Sequence, residues 1–188
     1  MKLLEEKILQ EGTIVGADIL KVDGFINHQV DVELMEEIGK DMAAHFQDKG
    51  ITKVFTIESS GIAPAVFTAK YLQVPLVILK KQAAKKLQTE VWQTEVVSYT
   101  KDISYDLTLA KNYISDADHI LIVDDFLANG EAATGAVRLI RKAHATVAGV
   151  GVLIEKAFQP GREKLEAQGI HVYAQARIKS LENGTLQF

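Results

Sequence analysis

The sequence predicts an α/β domain with a doubly wound, mainly parallel sheet, and two observations lead to that prediction. Four runs of strand length are apolar or β-branched without alternation: 53–58, 74–80, 119–123 and 146–155. Unalternating strands are typical of parallel sheets that are covered on both faces. Segments with apolar residues at helical spacing separate these runs, so we expect helices on both sides of the sheet.

In the first half of the chain, predicted helices and strands alternate. Apolar residues recur at helical spacing within 32–49, and Gly50 lies where that helix would end. The first strand leads through a short loop into a second amphipathic segment, which begins at Ile62. After the next strand, residues 81–105 are polar, rich in lysine and without clear periodicity, which predicts a long loop or a mobile hairpin.

In the second half, a strand over 119–123 precedes a helix that presents Ala136 and Ile140 on its apolar face. After the last of the four runs, Pro160 opens a short helix. Residues 170–178 then alternate as a half-exposed strand does.

Length and composition favour one domain over 1–188, because 188 residues with 47% hydrophobic content suffice for one well-buried core. We expect a core at about 32–155 and a small hood lobe from 1–31 and 156–188. Lysine and arginine number 21 against 25 acidic residues, which gives no electrostatic reason to expect a nucleic-acid partner.

The absence of cysteine excludes disulfides, thiolate catalysis and cysteine-ligated zinc, and it fits a reducing compartment. The first residues carry too much acid for a signal peptide. The apolar stretches fall short of the roughly 20 residues that a membrane helix needs. We therefore expect a soluble, cytoplasmic protein without a membrane partner.

The strongest functional signal is LIVDDFLANGEA at 121–132. Asp124 and Asp125 end an apolar strand, and Gly130 opens a helix whose free backbone N–H groups can bind an anion. Ligands of open α/β sheets collect at this carboxyl edge. Carboxylates can accept hydrogen bonds from neighbouring hydroxyl groups, and the start of the helix can bind a terminal phosphate. A ribose 5-phosphate carries both the hydroxyl groups and the phosphate.

A second interpretation of this segment is an acid pair that binds Mg²⁺ beside an ordinary Asn-Gly turn. Other nucleotide sites are not supported by the sequence. No glycine-lysine-serine/threonine follows a strand, and no GxGxxG occurs, so neither a Walker-type loop nor a dinucleotide site is indicated.

The segment LIVDDFLANGEAA resembles the PRPP-binding signature of type I phosphoribosyltransferases, where PRPP is 5-phosphoribosyl diphosphate. The resemblance implies the fold of that family, with Asp124 and Asp125 as catalytic residues that hold the ribose hydroxyls. It also implies that the 5-phosphate lies in a loop made of Ala128, Asn129, Gly130, Glu131 and Ala132. The family's usual threonine is Asn129 here, which exchanges a hydroxyl for an amide and keeps the glycine.

A second block, TIESSGIAPA at 56–65, resembles the family's pyrophosphate loop. Ser59, Ser60 and Gly61 would donate backbone N–H groups to the diphosphate, because small residues let the main chain approach closely. Taken alone, the block is also consistent with an ordinary strand-to-helix turn with serine caps.

Four blocks within 20–162 resemble most closely the bacterial members of the family that use xanthine. This resemblance implies that Leu20, Asn27 and Lys156 line the base pocket. It implies a purine salvage reaction that converts xanthine and PRPP to xanthosine 5′-monophosphate (XMP) and diphosphate. Lys156 can donate a hydrogen bond to a purine carbonyl, whereas adenine carries an amine there.

Two other functions stay open at this point. One is transfer to another base, such as hypoxanthine, guanine, adenine or orotate. The other is a PRPP-sensing regulator without turnover. Such a regulator would need a DNA-reading element, and the first 30 or so residues lack the clustered lysine and arginine that phosphate contacts require.

The resemblance also sets expectations for cofactor and assembly. Mg²⁺ is expected to arrive bound to PRPP, with no metal held directly by the protein, and a homodimer is expected. The densest basic cluster would neutralise the diphosphate, in cis or across a dimer interface, or form a solvated surface: Lys80, Lys81, Lys85, Lys86 and Lys101. The segment Ser98-Tyr99-Thr100 would close over the site. The five histidines lack ligand spacing and suggest no zinc site.

Overall fold

The computed structural model describes residues 1–16, 19–82, 90–98, 103–181 and 184–188. Its strands are β1 Thr13–Val15, β2 Ile19–Lys21, β3 Lys53–Ile57, β4 Leu76–Gln82, β5 Val91–Ser98, β6 Ile103–Ala110, β7 His119–Leu127, β8 Thr146–Lys156 and β9 Val172–Ile178. Its α-helices are α1 Lys2–Glu11, α2 Val32–Phe46, α3 Ile62–Leu72, α4 Glu131–Lys142 and α5 Gly161–Glu166. A π-helical turn covers Asp23–Asn27, and 3₁₀ turns cover Gln47–Lys49 and Lys111–Tyr113.

A seven-stranded sheet in the order β5-β6-β4-β3-β7-β8-β9 forms the centre of the molecule, and β1 pairs only with β2. The pairs β3 with β4, β3 with β7, β7 with β8 and β8 with β9 are all parallel. The four unalternating runs therefore all lie in the parallel part of the sheet, which β9 also joins. The doubly wound, mainly parallel fold predicted from the sequence is confirmed.

Helices cover both faces of this sheet. On one face, Met42 of α2 packs with Leu121 and Val123 of β7. On the other face, Ile140 of α4 packs with Ile122 of β7. Successive residues of one strand therefore enter two apolar layers, which is why the strand sequence does not alternate.

The N-terminal segment packs beside β8 and β9. Leu4 of α1 lies in one apolar cluster with Leu153 of β8 and Ile178 of β9, and Leu186 near the chain end packs against it. Strand β9 pairs in parallel with β8. Residues 172–178 thus extend the large sheet, whereas the sequence had assigned them to a hood lobe.

Within 81–105, the described residues belong to paired strands, as the hairpin alternative predicts, and the mobility expected of that hairpin stays a prediction. Strands β5 and β6 pair antiparallel, and β6 also pairs with β4. Trp92 is half-buried against the main apolar cluster. Strand β5 is covered on one side only: Val96 is buried, whereas Glu95 and Val97 are exposed.

Part of the proposed closing segment falls outside the described residues. This applies to the backbone and side chains of Lys85, Lys86, Tyr99, Thr100 and Lys101. The predictions made for these residues stay predictions.

Two strands extend further than the sequence predicted. β7 pairs with β8 as far as Leu127↔Glu155, so Asp124 and Asp125 lie within the strand. β8 continues to Lys156, which pairs with Ile178 of β9. The sheet itself therefore fixes the backbone of these functional candidates.

None of the helices in the described ranges is long and apolar enough to cross a bilayer.

Candidate active site at the carboxyl edge of the sheet

The carboxyl edge of the sheet brings the two strongest motifs together. The pairing of β3 with β7 ends at Phe55↔Ile122, so Asp124 lies beyond it, beside the loop that follows β3. A methyl group on Gly61 of that loop would lie 2.8 Å from Asp124 Oδ1, and it would also collide with Thr56 Oγ1. Only glycine leaves room for the loop to lie directly against the acid pair.

Asp124 and Asp125 place two carboxylates side by side. The backbone N–H of Asp125 donates to Asp124 Oδ1 at 3.0 Å, and the N–H of Phe126 donates to Asp125 Oδ1 at 2.9 Å. Burial and then the charge of Asp125 raise the pKa of Asp124 well above its ordinary range, while Lys81 acts weakly in the opposite direction. Such a pair stabilises a positive charge placed beside it.

The loop after β3 carries the residues predicted to bind the diphosphate. Its peptide bond between Glu58 and Ser59 is cis. The Glu58 carboxylate accepts a hydrogen bond from the backbone N–H of Lys81 at 2.5 Å and one from Lys80 Nζ at 3.3 Å. Two of the five predicted lysines therefore lie beside this loop.

Tyr105 of β6 is near the same site, and sequence reasoning missed it. Lys81 Nζ lies 5.4 Å from the centroid of its ring. Burial, followed by the charges of Asp124 and Glu131, raises the pKa of the Tyr105 hydroxyl. No motif in the sequence singled out this residue.

The predicted 5-phosphate loop turns at Gly130, whose φ of 84° lies in the left-handed region. A β-carbon there would be strained and would lie 2.9 Å from Gly161 Cα. Helix α4 begins at Glu131, so its first N–H groups have no partner inside the helix. Among the described residues, no backbone carbonyl is recorded as accepting a hydrogen bond from the N–H of Gly130 or Glu131. The loop and the helix end therefore form a cradle that can bind an anion.

Helix α5 holds the outer side of this loop. The N–H of Gly161 donates to the Ala128 carbonyl at 3.0 Å, and Lys164 Nζ donates to the Asn129 carbonyl at 2.9 Å. Lys164 also lies 3.3 Å from Glu131 Oε1. Sequence reasoning missed both α5 residues. The proline-glycine step that opens α5 was visible, but its contact with a loop thirty or so residues earlier depends on the tertiary fold.

The three residues predicted to line the base pocket come from three separate elements. Leu20 of β2 is 6% exposed and packs in the cluster that Phe126, next to the acid pair, also contacts. Asn27 ends the π-helical turn and is exposed, and Lys156 is half-buried at the end of β8. The apolar cluster therefore connects the N-terminal lobe with the strand that carries the acids.

Glu155, immediately before Lys156, is a charged residue inside the sheet. It is 2% exposed and accepts hydrogen bonds from Arg162 Nη2 at 2.6 Å and from Arg177 Nε at 3.0 Å. Burial acts to raise the pKa of Glu155, but the two arginines outweigh that effect and the pKa is lowered. This arrangement fixes the end of β8, and thus the backbone of Lys156.

Three of the five histidines contact residues outside the site just described. His45 Nε2 lies 2.9 Å from His171 Nε2, and His45 stacks on Tyr173 with ring centroids 3.8 Å apart. His119 Nδ1 lies 2.7 Å from Thr146 Oγ1 at the amino end of the sheet. Among the residues that the structure describes, there is no group of three histidine, aspartate or glutamate side chains that could hold a metal ion.

Residues 31–171 match the family model of the phosphoribosyl transferase domain. The chain belongs to this family. The matched region begins at the N-cap of α2, ends just before β9, and includes the acid pair and both loops of the candidate site. The recognition made from the sequence motifs is therefore confirmed.

The chain is also similar over its whole length to named members of the family. It is 60% identical to the xanthine phosphoribosyltransferase of Agathobacter rectalis, with 100% of this chain and 98% of that protein covered. It is 57% identical to xanthine phosphoribosyltransferase 1 of Clostridium botulinum, with 100% and 99% covered.

Among solved structures, the adenine phosphoribosyltransferase of Rhodothermus marinus superposes with a TM-score of 0.76 at 24% identity, covering 94% of this chain and 99% of that one. The adenine phosphoribosyltransferase of Trypanosoma brucei superposes with a TM-score of 0.77 at 17% identity, covering 93% and 79%. These similarities show that the fold is shared.

Proposed function

We propose that this chain is a xanthine phosphoribosyltransferase of purine salvage, which converts xanthine and PRPP to XMP and diphosphate. The observation that supports this most is the contact of the pyrophosphate loop with the acid pair, through Gly61 and Asp124, at the edge where the 5-phosphate loop also begins. Full-length identity of 60% to a protein of that name supports the choice of base.

The proposed reaction breaks the bond between ribose C1 and the diphosphate, and a purine nitrogen then bonds to C1. Positive charge builds up on the ribose as the diphosphate departs, and fixed negative groups lower the energy of that state. Asp124 and Asp125 hold the ribose hydroxyls and face the developing charge. The pKa of Asp124 is raised because burial and the neighbouring Asp125 disfavour its negative charge. A positive charge on the ribose would compensate that negative charge.

The two loops hold the two phosphate ends of PRPP. Backbone N–H groups of Ser59, Ser60 and Gly61 bind the diphosphate, and Lys80 and Lys81 neutralise part of its charge. The second loop binds the 5-phosphate through the residues already given for it: Ala128, Asn129, Gly130, Glu131 and Ala132. Fixing both ends places C1 between the acids and the base, which supplies orientation before any bond breaks.

Leu20, Asn27 and Lys156 are proposed to form the base pocket. Lys156 donates to a carbonyl oxygen of xanthine, and Asn27 offers both a donor and an acceptor to the base edge. Leu20 covers the ring with apolar surface. Adenine presents an amine where xanthine presents a carbonyl, so it would offer Lys156 a donor in place of an acceptor.

Mg²⁺ is proposed to reach the site bound to PRPP. Because no three ligating side chains converge in the described residues, oxygens of the substrate would have to complete its coordination. The carboxylate oxygens of Asp124 and Asp125 are hard donors, which is the type of group that Mg²⁺ prefers, so the ion can lie beside them. When bound, Mg²⁺ would offset the charge of the leaving diphosphate.

We further propose that the enzyme is a cytoplasmic homodimer. The absence of cysteine fits a reducing compartment. Val66 on the outer side of α3 is 47% exposed and Val32 at the start of α2 is 61% exposed, which leaves apolar area for a partner. Analytical ultracentrifugation tests the assembly: a dimer mass at micromolar concentration supports it, and a monomer mass contradicts it.

A base panel tests the proposed function. Purified enzyme with PRPP and Mg²⁺ is offered xanthine, guanine, hypoxanthine and adenine, and diphosphate release is followed. We expect xanthine to be preferred and adenine to be essentially unused. Efficient use of adenine contradicts the assignment of the base, and no release with any purine contradicts the enzymatic function.

Lys156→Ala tests the base pocket in the same assay. We expect KM for xanthine to rise by about tenfold or more, as for the loss of a hydrogen bond to a charged group, while KM for PRPP changes little. Lys49→Ala is the matched control, because Lys49 is exposed in the 3₁₀ turn after α2. Equal changes in both KM values would argue against a base-specific role.

A further inference from the structure

Helix α5 is bonded to two consecutive carbonyl groups of the 5-phosphate loop. The N–H of Gly161, its first residue, donates to the Ala128 carbonyl at 3.0 Å. The ammonium of Lys164, one turn later, donates to the Asn129 carbonyl at 2.9 Å. The loop is therefore held from its outer side by one backbone group and one charged side chain.

These two bonds fix where the loop N–H groups point. In a trans peptide unit, the carbonyl and the following N–H point in opposite directions. The Ala128 carbonyl shares its unit with the Asn129 N–H, and the Asn129 carbonyl shares its unit with the Gly130 N–H. Since both oxygens face α5, both N–H groups face away from it, as donors that converge on an anion must.

Lys164 also balances a charge at the mouth of this cradle. Its Nζ lies 3.3 Å from Oε1 of Glu131, which is the first residue of α4. An unpaired carboxylate at this helix end would repel a phosphate that binds the same N–H groups. The lysine side chain therefore both orients the loop and neutralises the acid nearest to it.

The helix that carries Lys164 is rigidly placed. Arg162 Nε and Nη2 donate to the two oxygens of the Glu155 carboxylate at 2.8 Å and 2.6 Å, and Nη1 donates to the Val172 carbonyl at 2.9 Å. These bonds connect α5 to the last residues of β8 and to the first residue of β9. Lys164 thus projects from a fixed platform, which limits the entropy lost when it holds the loop.

We propose that Lys164 is a positioning residue for the 5-phosphate of PRPP. It does not touch the ligand. It keeps the Asn129–Gly130 peptide turned so that the N–H faces the phosphate, and it offsets the Glu131 charge. This inference rests on the proposed function only in naming PRPP, because any ligand with a ribose 5-phosphate would depend on the same loop.

Binding of ribose 5-phosphate tests the role without turnover. Titration calorimetry compares the wild type with Lys164→Met, Lys164→Arg and the control Lys49→Met. We expect the dissociation constant to rise by about tenfold in Lys164→Met, as for a lost charge-assisted hydrogen bond. Lys164→Arg should recover most of the affinity, and Lys49→Met should match the wild type.

Steady-state kinetics separate positioning from general damage. In Lys164→Met we expect KM for PRPP to rise with little change in kcat or in KM for xanthine, because only the phosphate end is affected. Unfolding curves establish that each variant is folded, and Lys164→Gln replaces Lys164→Met if that variant is not.

Two results would overturn the proposal: an unchanged affinity for ribose 5-phosphate, or an equal rise in both KM values. A wild-type protein that binds ribose 5-phosphate but catalyses no transfer from PRPP to any purine would refute the proposed function alone. The comparison of Lys164 variants would then still decide the positioning role.

Discussion

Two acidic sites at the ends of neighbouring strands have opposite surroundings. Asp124, near the end of β7, has another carboxylate beside it, that of Asp125. Glu155, near the end of β8, is bonded to Arg162 and Arg177. Burial raises the pKa of Asp124, whereas the two arginines hold the pKa of Glu155 low despite its burial.

This contrast separates the proposed substrate site from a structural one. A buried charge is costly unless it is compensated, so two adjacent carboxylates at a buried position are a local instability that the rest of the fold must tolerate. The fully paired Glu155 instead fixes the strand end and α5. Both acids lie near strand ends of one sheet, so what distinguishes them is whether positive side chains compensate the carboxylate. Substitutions can test this difference.

The largest effect is expected for Asp124→Asn, which keeps the shape and removes the charge. We expect kcat/KM to fall by about 10²- to 10³-fold, because the developing positive charge on the ribose loses its partner. Diphosphate release measures the change. Asp116→Asn, an exposed substitution outside the site, is the control and should behave as the wild type. Near-normal activity of Asp124→Asn would remove its catalytic role.

Glu155→Gln should instead reduce stability. Two arginines would lose their charged acceptor, and we expect the free energy of unfolding to fall by about 3 kcal/mol, as when one partner of a buried pair is removed. Urea denaturation measures it. Glu166→Gln is the matched control, since Glu166 pairs with Arg162 at the surface. A loss no larger than in that control would show that the buried pair contributes little.

The raised pKa of Asp124 predicts a stability effect that depends on pH. The folded protein binds this proton more readily than the unfolded chain, so the associated stability is present below the ordinary value of 3.8 and is lost as pH rises through the folded pKa. Asp124→Asn cannot titrate. It should therefore be more stable than the wild type at neutral pH, with the difference narrowing towards pH 4. A constant difference across unfolding curves would contradict this.

The smallest effect is expected for Arg177→Gln. The Arg177 side chain is 54% exposed, whereas that of Arg162 is 22% exposed. We expect Arg177→Gln to cost about 0.5 kcal/mol, in the range of exposed ion pairs, and Arg162→Gln to cost several times more. Thermal unfolding of both variants measures the ranking. Equal losses would mean that both arginines compensate Glu155 to the same degree.

The fold and the centre of the site could be predicted because their signals are local. The run ending at Val123 is apolar on both faces, and the acids and Gly130 follow within a few residues, so strand, ligand edge and helix start lie in one segment. The contacts of Lys164 and Tyr105 could not be predicted in this way. Both residues reach the site through tertiary packing.

The hairpin shows a different limit. Polar residues such as Glu95 alternate with buried ones such as Val96, but the alternation is irregular and lysines surround it. What defines β5 is its contact with α4: a methyl group on Gly135 would lie 2.5 Å from Val96 Cγ2, and Arg138 Nη2 donates to the Glu95 carbonyl at 2.6 Å. Such a partner becomes visible only in the folded structure.

The same hairpin has a consequence for how the chain folds. Val54 of β3 pairs with Leu121 of β7, although α3, β4 and the whole hairpin lie between them. Parallel pairing across so long a segment closes a large loop and forms slowly, whereas β5 and β6 are neighbours in sequence and pair early. We therefore expect the hairpin to act as a local nucleus onto which α4 packs. Strand β7, which carries Asp124 and Asp125, would join the sheet later in folding.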